Sequence, residues 1–300
     1  MKRVIFSADD FGLDPAVNEA VEVAHRDGLL AAASLMVGED AAEAAVAVAR
    51  RNPNLRVGLH IALVEATPMS DPADIPDLVD GSGRFPSDMV RAGFRFFFKP
   101  GVRAQLAREI RAQFEAFRRT GLALDHANTH KHIHLHPTVA RLIVEIGRDY
   151  GLKAVRLPVE PAGPVARAEG AAAAGGFGAA ALRAWTGQLK AMLKRQGMAT
   201  NDQVFGLAWS GAVTEARVAA LIPHLPDGVS EIYFHPATAL TPKLARTMPT
   251  YRHADELAAL LSPTVKRLVA SHGIERTSFT DLVAAARPRA AAYDVARAAS

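Results

Sequence analysis

The stretch Met1-Lys2-Arg3-Val4-Ile5-Phe6-Ser7-Ala8-Asp9-Asp10-Phe11-Gly12 decides how the rest of the chain is read. Val4 to Ser7 predicts a short buried strand, because a β-branched and aromatic run bounded by charges suits a pleated, covered surface. The run stops at two adjacent carboxylates followed by Phe11 and Gly12. Like charges side by side at the end of a buried strand cost free energy unless something positive sits beside them. A divalent metal ion would do that. An isolated Asp-Asp is more often a turn whose aspartate caps the next helix; the histidines further along reverse that reading here.

Outward from this strand, helix and strand signals alternate. Asp14 is a plausible N-cap with Pro15 in the first helical position, and Gly28 closes the helix. Residues 29–37 are β-compatible, 40–51 helical, and Arg56 to Leu63 form a strand with His60 inside it. A helix is expected over 102–119, a strand over 122–128, a helix over 137–149 and a strand over 152–157. Then come a helix over 184–195, a strand from Val204 to Trp209, a helix over 214–221 and the strand Glu231-Ile232-Tyr233-Phe234, which runs into His235-Pro236. The tail is helical over 254–271, with a last short strand near 275–279. This alternation argues for a parallel sheet with helical crossovers. The predicted fold is α/β, a single deformed (β/α) barrel over 1–300 with about seven parallel strands, and an open doubly wound sheet is the second choice. It carries a loop insertion over 66–100 and an Ala/Gly-rich segment over 159–181 with no clear element.

Composition excludes several classes. The 300 residues include 35 basic and 31 acidic side chains, an excess too small and too scattered for a nucleic-acid surface. No cysteine is present, which removes disulfides, thiolate nucleophiles and thiolate metal ligands. The apolar run after Lys2-Arg3 is too short for a signal peptide, and no uncharged stretch has transmembrane length. A cytoplasmic protein is the expectation, and a peripheral place at the inner membrane face is compatible with it.

The unusual polar residues fall at predicted strand ends: Asp9 and Asp10, His60, Asn128 to His130, Arg156, Trp209 and His235. In a (β/α) barrel these ends share one face. His130, His132, His134 and His136 suggest a four-histidine cage, but residues six apart in an extended chain lie roughly 20 Å apart, so one ion takes one or two of them. His60 alone, and less heavily His235, would more often be a hydrogen-bonded core histidine. The coincidence of Asp10, His60 and His130 favours a metal site, since one carboxylate and two imidazoles with open positions suit a catalytic divalent ion.

Taken in order, Ala8-Asp9-Asp10-Phe11-Gly12, Gly58-Leu59-His60, His130-x-His132-x-His134, Arg156-x-Pro158-x-Glu160 and Phe234-His235-Pro236 resemble the YdjC-like carbohydrate deacetylases, which include chitooligosaccharide deacetylases. The variant Ala127-Asn128-Thr129-His130-Lys131-His132 looks most like the branch associated with hopanoid lipid biosynthesis. The resemblance implies a deformed barrel and a divalent ion, Mg²⁺ or Zn²⁺, held by Asp10, His60 and His130, with Asp9 as catalytic base. It places His235 near the site, and Asn128 stands where many members have aspartate.

The chemistry expected is removal of acetyl from an N-acetylated amino sugar, foremost an N-acetylglucosaminyl hopanoid glycolipid. A chitooligosaccharide deacetylase, a metal phosphoesterase and a non-catalytic glycan-binding barrel are the alternatives. His235, protonated, would stabilise the oxyanion or protonate the amine. Because neighbouring strand residues point to opposite faces, a bend or bulge is expected at Asp9-Asp10, with Gly12 relieving the turn. Arg156, Glu160, Trp209, His132 and His134 are substrate-binding candidates. Phe94-Arg95-Phe96-Phe97-Phe98-Lys99 is either core or a lipid contact, and a homodimer is compatible with this reading.

Overall fold

Strand β1 (Lys2–Phe11) lies in the middle of a parallel sheet. The computed structural model describes residues 1–87, 100–171 and 177–286; Phe94 to Lys99 lie outside them. On one side β1 pairs with β2 (Ala32–Leu35), and on the other with β6 (Gly228–Phe234), from Lys2 opposite Gly228 to Ala8 opposite Phe234. With β3 (Arg56–Ile61), β4 (Ala127–Thr129) and β5 (Gln203–Phe205), the order is β4-β3-β2-β1-β6-β5, all parallel. The two-residue β7 (Glu275–Arg276) pairs with the base of β1. The sheet curls into a deformed (β/α) barrel.

The ends of the curl meet across a thin seam. Ala127 bridges Val155, and Ala154 bridges Ala199. The Asn201 side chain completes the pairing at Leu157: it accepts from the backbone N–H at 2.7 Å and donates to the carbonyl at 2.8 Å. The strand expected over 152–157 is therefore reduced to isolated bridges, because a side-chain amide does there what a neighbouring strand would. Likewise only Ala127–Thr129 of the expected 122–128 strand is regular, and only Gln203–Phe205 of the one toward Trp209. Over 159–181 the described residues form one helix, Ala162–Ala168, and the start of another, Phe177–Arg195. The tail helix is two helices, His253–Leu261 and Pro263–Ser271. Pro263 has no N–H to continue the first, and Ser262 Oγ caps the second by accepting from Val265 N at 3.1 Å.

Side-chain alternation sorts the core into two parts. Val4, Phe6 and Ala8 of β1 join the large cluster between sheet and helices, with Val17, Val21, Leu35, Leu59, Ile110, Phe114, Ile232 and Phe234. Ile5, on the opposite face, belongs to a small separate cluster with Ala32, Ala154, Val229, Phe279 and Leu282. One strand step further along that face stand Ser7, Ser34, Arg156 and Glu231, all fully buried. The barrel interior is thus apolar at its base and polar above, which positions the site.

The helix Pro15–Asp27 follows the site loop and is capped as its sequence predicts. Asp14 Oδ1 accepts from Ala16 N at 2.9 Å, and Asp14 Oδ2 accepts from Thr241 Oγ1 at 2.7 Å. Asp14→Ala should lower stability by about 1–2 kcal/mol, measured as a shift in the urea unfolding midpoint with an unchanged slope.

Candidate metal centre

The end of β1 departs from regular strand geometry where its two aspartates stand. Pairing with β2 shifts register between Ala8 and Phe11, Asp10 has φ of 60°, and Gly12 follows at 93°. Left-handed backbone costs an L residue roughly 1–2 kcal/mol and is tolerated best by Asn and Asp. This bend, expected from the sequence, keeps both carboxylates buried at one rim.

Asp10 Oδ1 lies 3.3 Å from His60 Nε2 and 3.1 Å from His130 Nδ1, and the two ring nitrogens are 3.4 Å apart. Among the described residues these three form the group of His and carboxylate side chains whose ligand atoms converge closely enough to share one ion, all within 4.8 Å of one another. Asp10 Oδ2 is buried without a hydrogen-bond partner. Burial alone would raise the Asp10 carboxyl, yet His130 and His60 hold it well below the usual carboxylate range. Burial works against a charged His130, but the carboxylates of Asp10 and Glu65 outweigh it and raise the ring to about 9. The same negative potential that favours a proton on His130 also favours a metal cation, which would take the proton's place. The orphaned oxygen and the one-carboxylate, two-imidazole donor set both fit a divalent ion.

Each candidate histidine ligand has a support behind it. His60 Nδ1 donates to Asn128 Oδ1 at 2.7 Å, which leaves Nε2 free to coordinate. His130 turns Nδ1 inward, and its Nε2 faces Glu65 Oε2 at 3.8 Å; Lys131 Nζ reaches the same oxygen at 3.2 Å.

Asp9 is held differently. Arg156 grips both of its oxygens, Nη1 to Oδ2 at 2.5 Å and Nη2 to Oδ1 at 2.9 Å, and Asn128 Nδ2 donates to Oδ1 at 3.1 Å. Burial opposes ionisation, but Arg156 and His60 hold the Asp9 carboxyl far below its ordinary range. The other side of the guanidinium donates to Glu231, Nε to Oε2 at 3.0 Å and Nη2 to Oε1 at 2.8 Å, and Ser7 Oγ donates to Oε1 at 2.6 Å. Arg156 is fully buried with its donors engaged, so it stands behind Asp9 and not at the mouth where a substrate contact was expected. The positive partner demanded by two adjacent carboxylates is therefore a guanidinium for Asp9 and the candidate metal site for Asp10.

The histidine run is not extended. Residues His130–Leu135 form 3₁₀ turns broken by left-handed Lys131 and His132, with φ of 55° and 52°. Successive histidines are thrown to different places, and His130 alone of the four joins the cluster. His132 Nε2 meets Tyr233 OH at 3.1 Å, and burial together with Arg156 pushes it well below its usual value. His134 is locked between Thr129 Oγ1 at 2.6 Å and the Arg156 carbonyl at 3.0 Å, with burial pushing it down to about 4. His136 caps the next helix by accepting from Thr138 N at 3.2 Å.

His235 sits between the rings of Tyr233 and Tyr251, with centroids at 5.4 and 5.0 Å, and its backbone N–H donates to Glu256. Burial pushes its imidazole down to about 4, which favours the neutral ring over the protonated one that the expected acid role would use. Glu160 spends both oxygens on the backbone N–H groups of Gly206, Leu207 and Ala208, at 2.8, 3.0 and 2.7 Å. Trp209 is buried, its Nε1 donating to Glu169 at 2.6 Å. These two organise the loop after β5. Sequence reasoning missed Glu231, Glu65 and Glu256; a carboxylate opening the apolar Glu231 to Phe234 strand was the available signal for the first.

A model of the YdjC-like protein family matches residues 3–271 of this chain. A carbohydrate deacetylase of Geobacillus stearothermophilus is 28% identical over 92% of this chain and 96% of that protein. One from Brevibacillus brevis is 37% identical over a shorter match, 52% of this chain and 58% of that protein, so this alignment spans little more than half of either. In fold, the chain is similar to the crystal structure of a proposed cellobiose-phosphate cleavage protein from Enterococcus faecalis, with a TM-score of 0.74, 23% identity and coverage of 94% and 98% of the two chains.

Two outcomes test this geometry. Arg156→Leu strands two buried carboxylates and should destabilise the protein by about 3–5 kcal/mol, read by chemical denaturation. Asp10→Asn, which the left-handed backbone accommodates, should weaken zinc binding by more than the ~10–100-fold cost of altering an outer support, read by calorimetric titration.

Proposed function

The chain belongs to the family of YdjC-like proteins, and from that membership and the Asp10–His60–His130 cluster we propose that it is a divalent-metal-dependent hydrolase that removes acetyl from N-acetylated amino sugars. The observation that carries the proposal is the buried Asp10 carboxylate, whose Oδ1 meets both imidazoles while its Oδ2 has no hydrogen-bond partner. Asp10, His60 and His130 would hold the ion, Mg²⁺ or Zn²⁺. When bound, it supplies Lewis-acid polarisation of the acetyl carbonyl and acidifies water.

The remaining chemistry belongs to side chains. An ionised carboxylate offers about four acceptor positions. Arg156 and Asn128 occupy three of those on Asp9, leaving one for the attacking water. Asp9 takes the proton as the water oxygen bonds to the acetyl carbon. The C–N bond then breaks and the amine leaves with a proton. The proton on Asp9 passes to that amine, directly or by way of the unpartnered ring nitrogen of His235, and His235, neutral at rest, would donate a hydrogen bond to the developing oxyanion. Arg156 serves by keeping Asp9 ionised and aimed.

The finer reading, an N-acetylglucosaminyl hopanoid as substrate, rests on the Asn128 variant of the histidine motif, and a chitooligosaccharide is the alternative. A two-ion phosphoesterase would need a second ligand cluster, and among the described residues one such cluster is found. Among those residues no helix is long and apolar enough to cross a membrane, so contact with a glycolipid would be made from the surface. Acetate release should exceed background on N-acetylglucosaminyl lipid or on chitooligosaccharide, and a chelator should abolish it until zinc or magnesium is restored. No release from either substrate with metal present overturns the reading. Asp9→Asn should keep the metal and lose about 10²–10⁴-fold in kcat.

A further inference from the structure

Below the metal cluster a single file of polar side chains runs down the barrel interior. Asn128 Nδ2 donates to Ser34 Oγ at 2.9 Å, Ser34 Oγ meets His126 Nε2 at 3.0 Å, and His126 Nδ1 meets Asp125 Oδ2 at 2.8 Å. Asp125 Oδ1 in turn accepts from Thr280 N at 2.8 Å and Thr280 Oγ1 at 2.6 Å. Ser34, His126 and Asn128 have no solvent exposure, and Asp125 has 4%. The His126 ring stacks on Phe279 at 4.5 Å, and the chain passes it only because residue 58 is glycine: a Cβ there would lie 2.4 Å from the ring. A serine, a histidine and an aspartate in hydrogen-bonded series resemble a nucleophilic triad, but the buried serine cannot meet a substrate. The file needs another purpose.

The proton positions follow from the two carboxylates at its ends. Asp9 only accepts, so the Asn128 amide must turn its NH₂ toward Asp9 and its oxygen toward His60. The second N–H goes to Ser34, which must send its own hydrogen to His126 Nε2. The Nδ1–H of that ring then donates to Asp125, whose ionised form is favoured by this bond although burial opposes it. Every bond from Asn128 to Asp125 therefore points the same way. Chains of this kind polarise one another in a low-dielectric interior. An amide whose N–H bonds are drawn toward two carboxylates, one directly and one through a serine and an imidazole, becomes a stronger acceptor at its oxygen. That oxygen takes the His60 Nδ1 proton, the role an aspartate would play by its own charge.

We propose that Ser34, His126 and Asp125 are positioning residues for the metal centre, and that they make the neutral Asn128 act toward His60 as a carboxylate would. This rests on the metal reading above only for its effect on binding; the hydrogen-bonding order itself is a property of the metal-free protein.

The test uses the full chain with Ser34→Ala, and with His126→Phe as a second variant that keeps a ring against Phe279. In metal-free protein, ¹⁵N spectra should show wild-type His60 as the Nδ1–H tautomer, and both variants should show mixed tautomers. In calorimetric titration with zinc alone, Kd should rise by about tenfold or more in either variant. In acetate release, kcat should fall by a similar factor with KM within about twofold. A variant that folds and keeps both the wild-type His60 tautomer and the wild-type zinc Kd overturns the proposal. If wild type takes up no zinc, the metal reading fails, and the tautomer in metal-free protein still decides the relay.

Discussion

Arg156 stands fully buried between two carboxylates, Asp9 on β1 and Glu231 on β6, and the upper half of the barrel is built around that arrangement. Taking such charges out of water costs several kcal/mol per ion, recovered only when geometry is good and the remaining polar atoms are bonded. Here the guanidinium is bidentate to Asp9, doubly bonded to Glu231, and packed over the Tyr233 ring at 4.9 Å. Its backbone carbonyl is taken by His134. Fixing this one residue, side chain and backbone, thus fixes the candidate base, the ring that meets His132, and the place of the third histidine in the run. A planar fork is needed for this; a lysine point charge could not serve both carboxylates at once.

Barrels of this class ordinarily fill their interior with layers of branched aliphatics. This one does so only at the base, with Ile5, Ala32, Ala154, Val229, Phe279 and Leu282. Above that plug the interior is hydrogen-bonded polar chemistry, and the bulk of the apolar burial lies outside, between sheet and helices. The division separates duties. The outer layer supplies hydrophobic stabilisation, which is non-directional and tolerant. The inner file supplies direction, which a single missing partner destroys.

What the sequence disclosed tracks the range over which each signal acts. The Asp14-Pro15 helix start, the strand-end placement of Asp10, His60 and His130, and the bend at the paired aspartates are local, and all are present. Boundaries fared worse where a side chain replaces backbone, as Asn201 does at Leu157. Arg156 shows the limit most clearly. A strand-end arginine beside an expected sugar site suggests a substrate contact, and only the sheet order that brings β6 beside β1 shows that two carboxylates already claim it. Ser34 and His126 carry no motif at all; a small polar residue and a histidine become a relay only when β2 and β4 are two strands apart in the same curl.

The thin seam between β4 and β5 has a consequence for how the barrel stays shut. Backbone pairing there is a matter of single bridges, yet Arg156 is anchored at that seam and throws its charge across the bore to β1 and β6. The guanidinium is a clasp as much as a counter-ion: it ties the thinly paired stave at the seam to β1 and β6. Structural closure and the aim of Asp9 are then one property, since whatever slackens the clasp lets the stave drift and leaves that carboxylate without its guide.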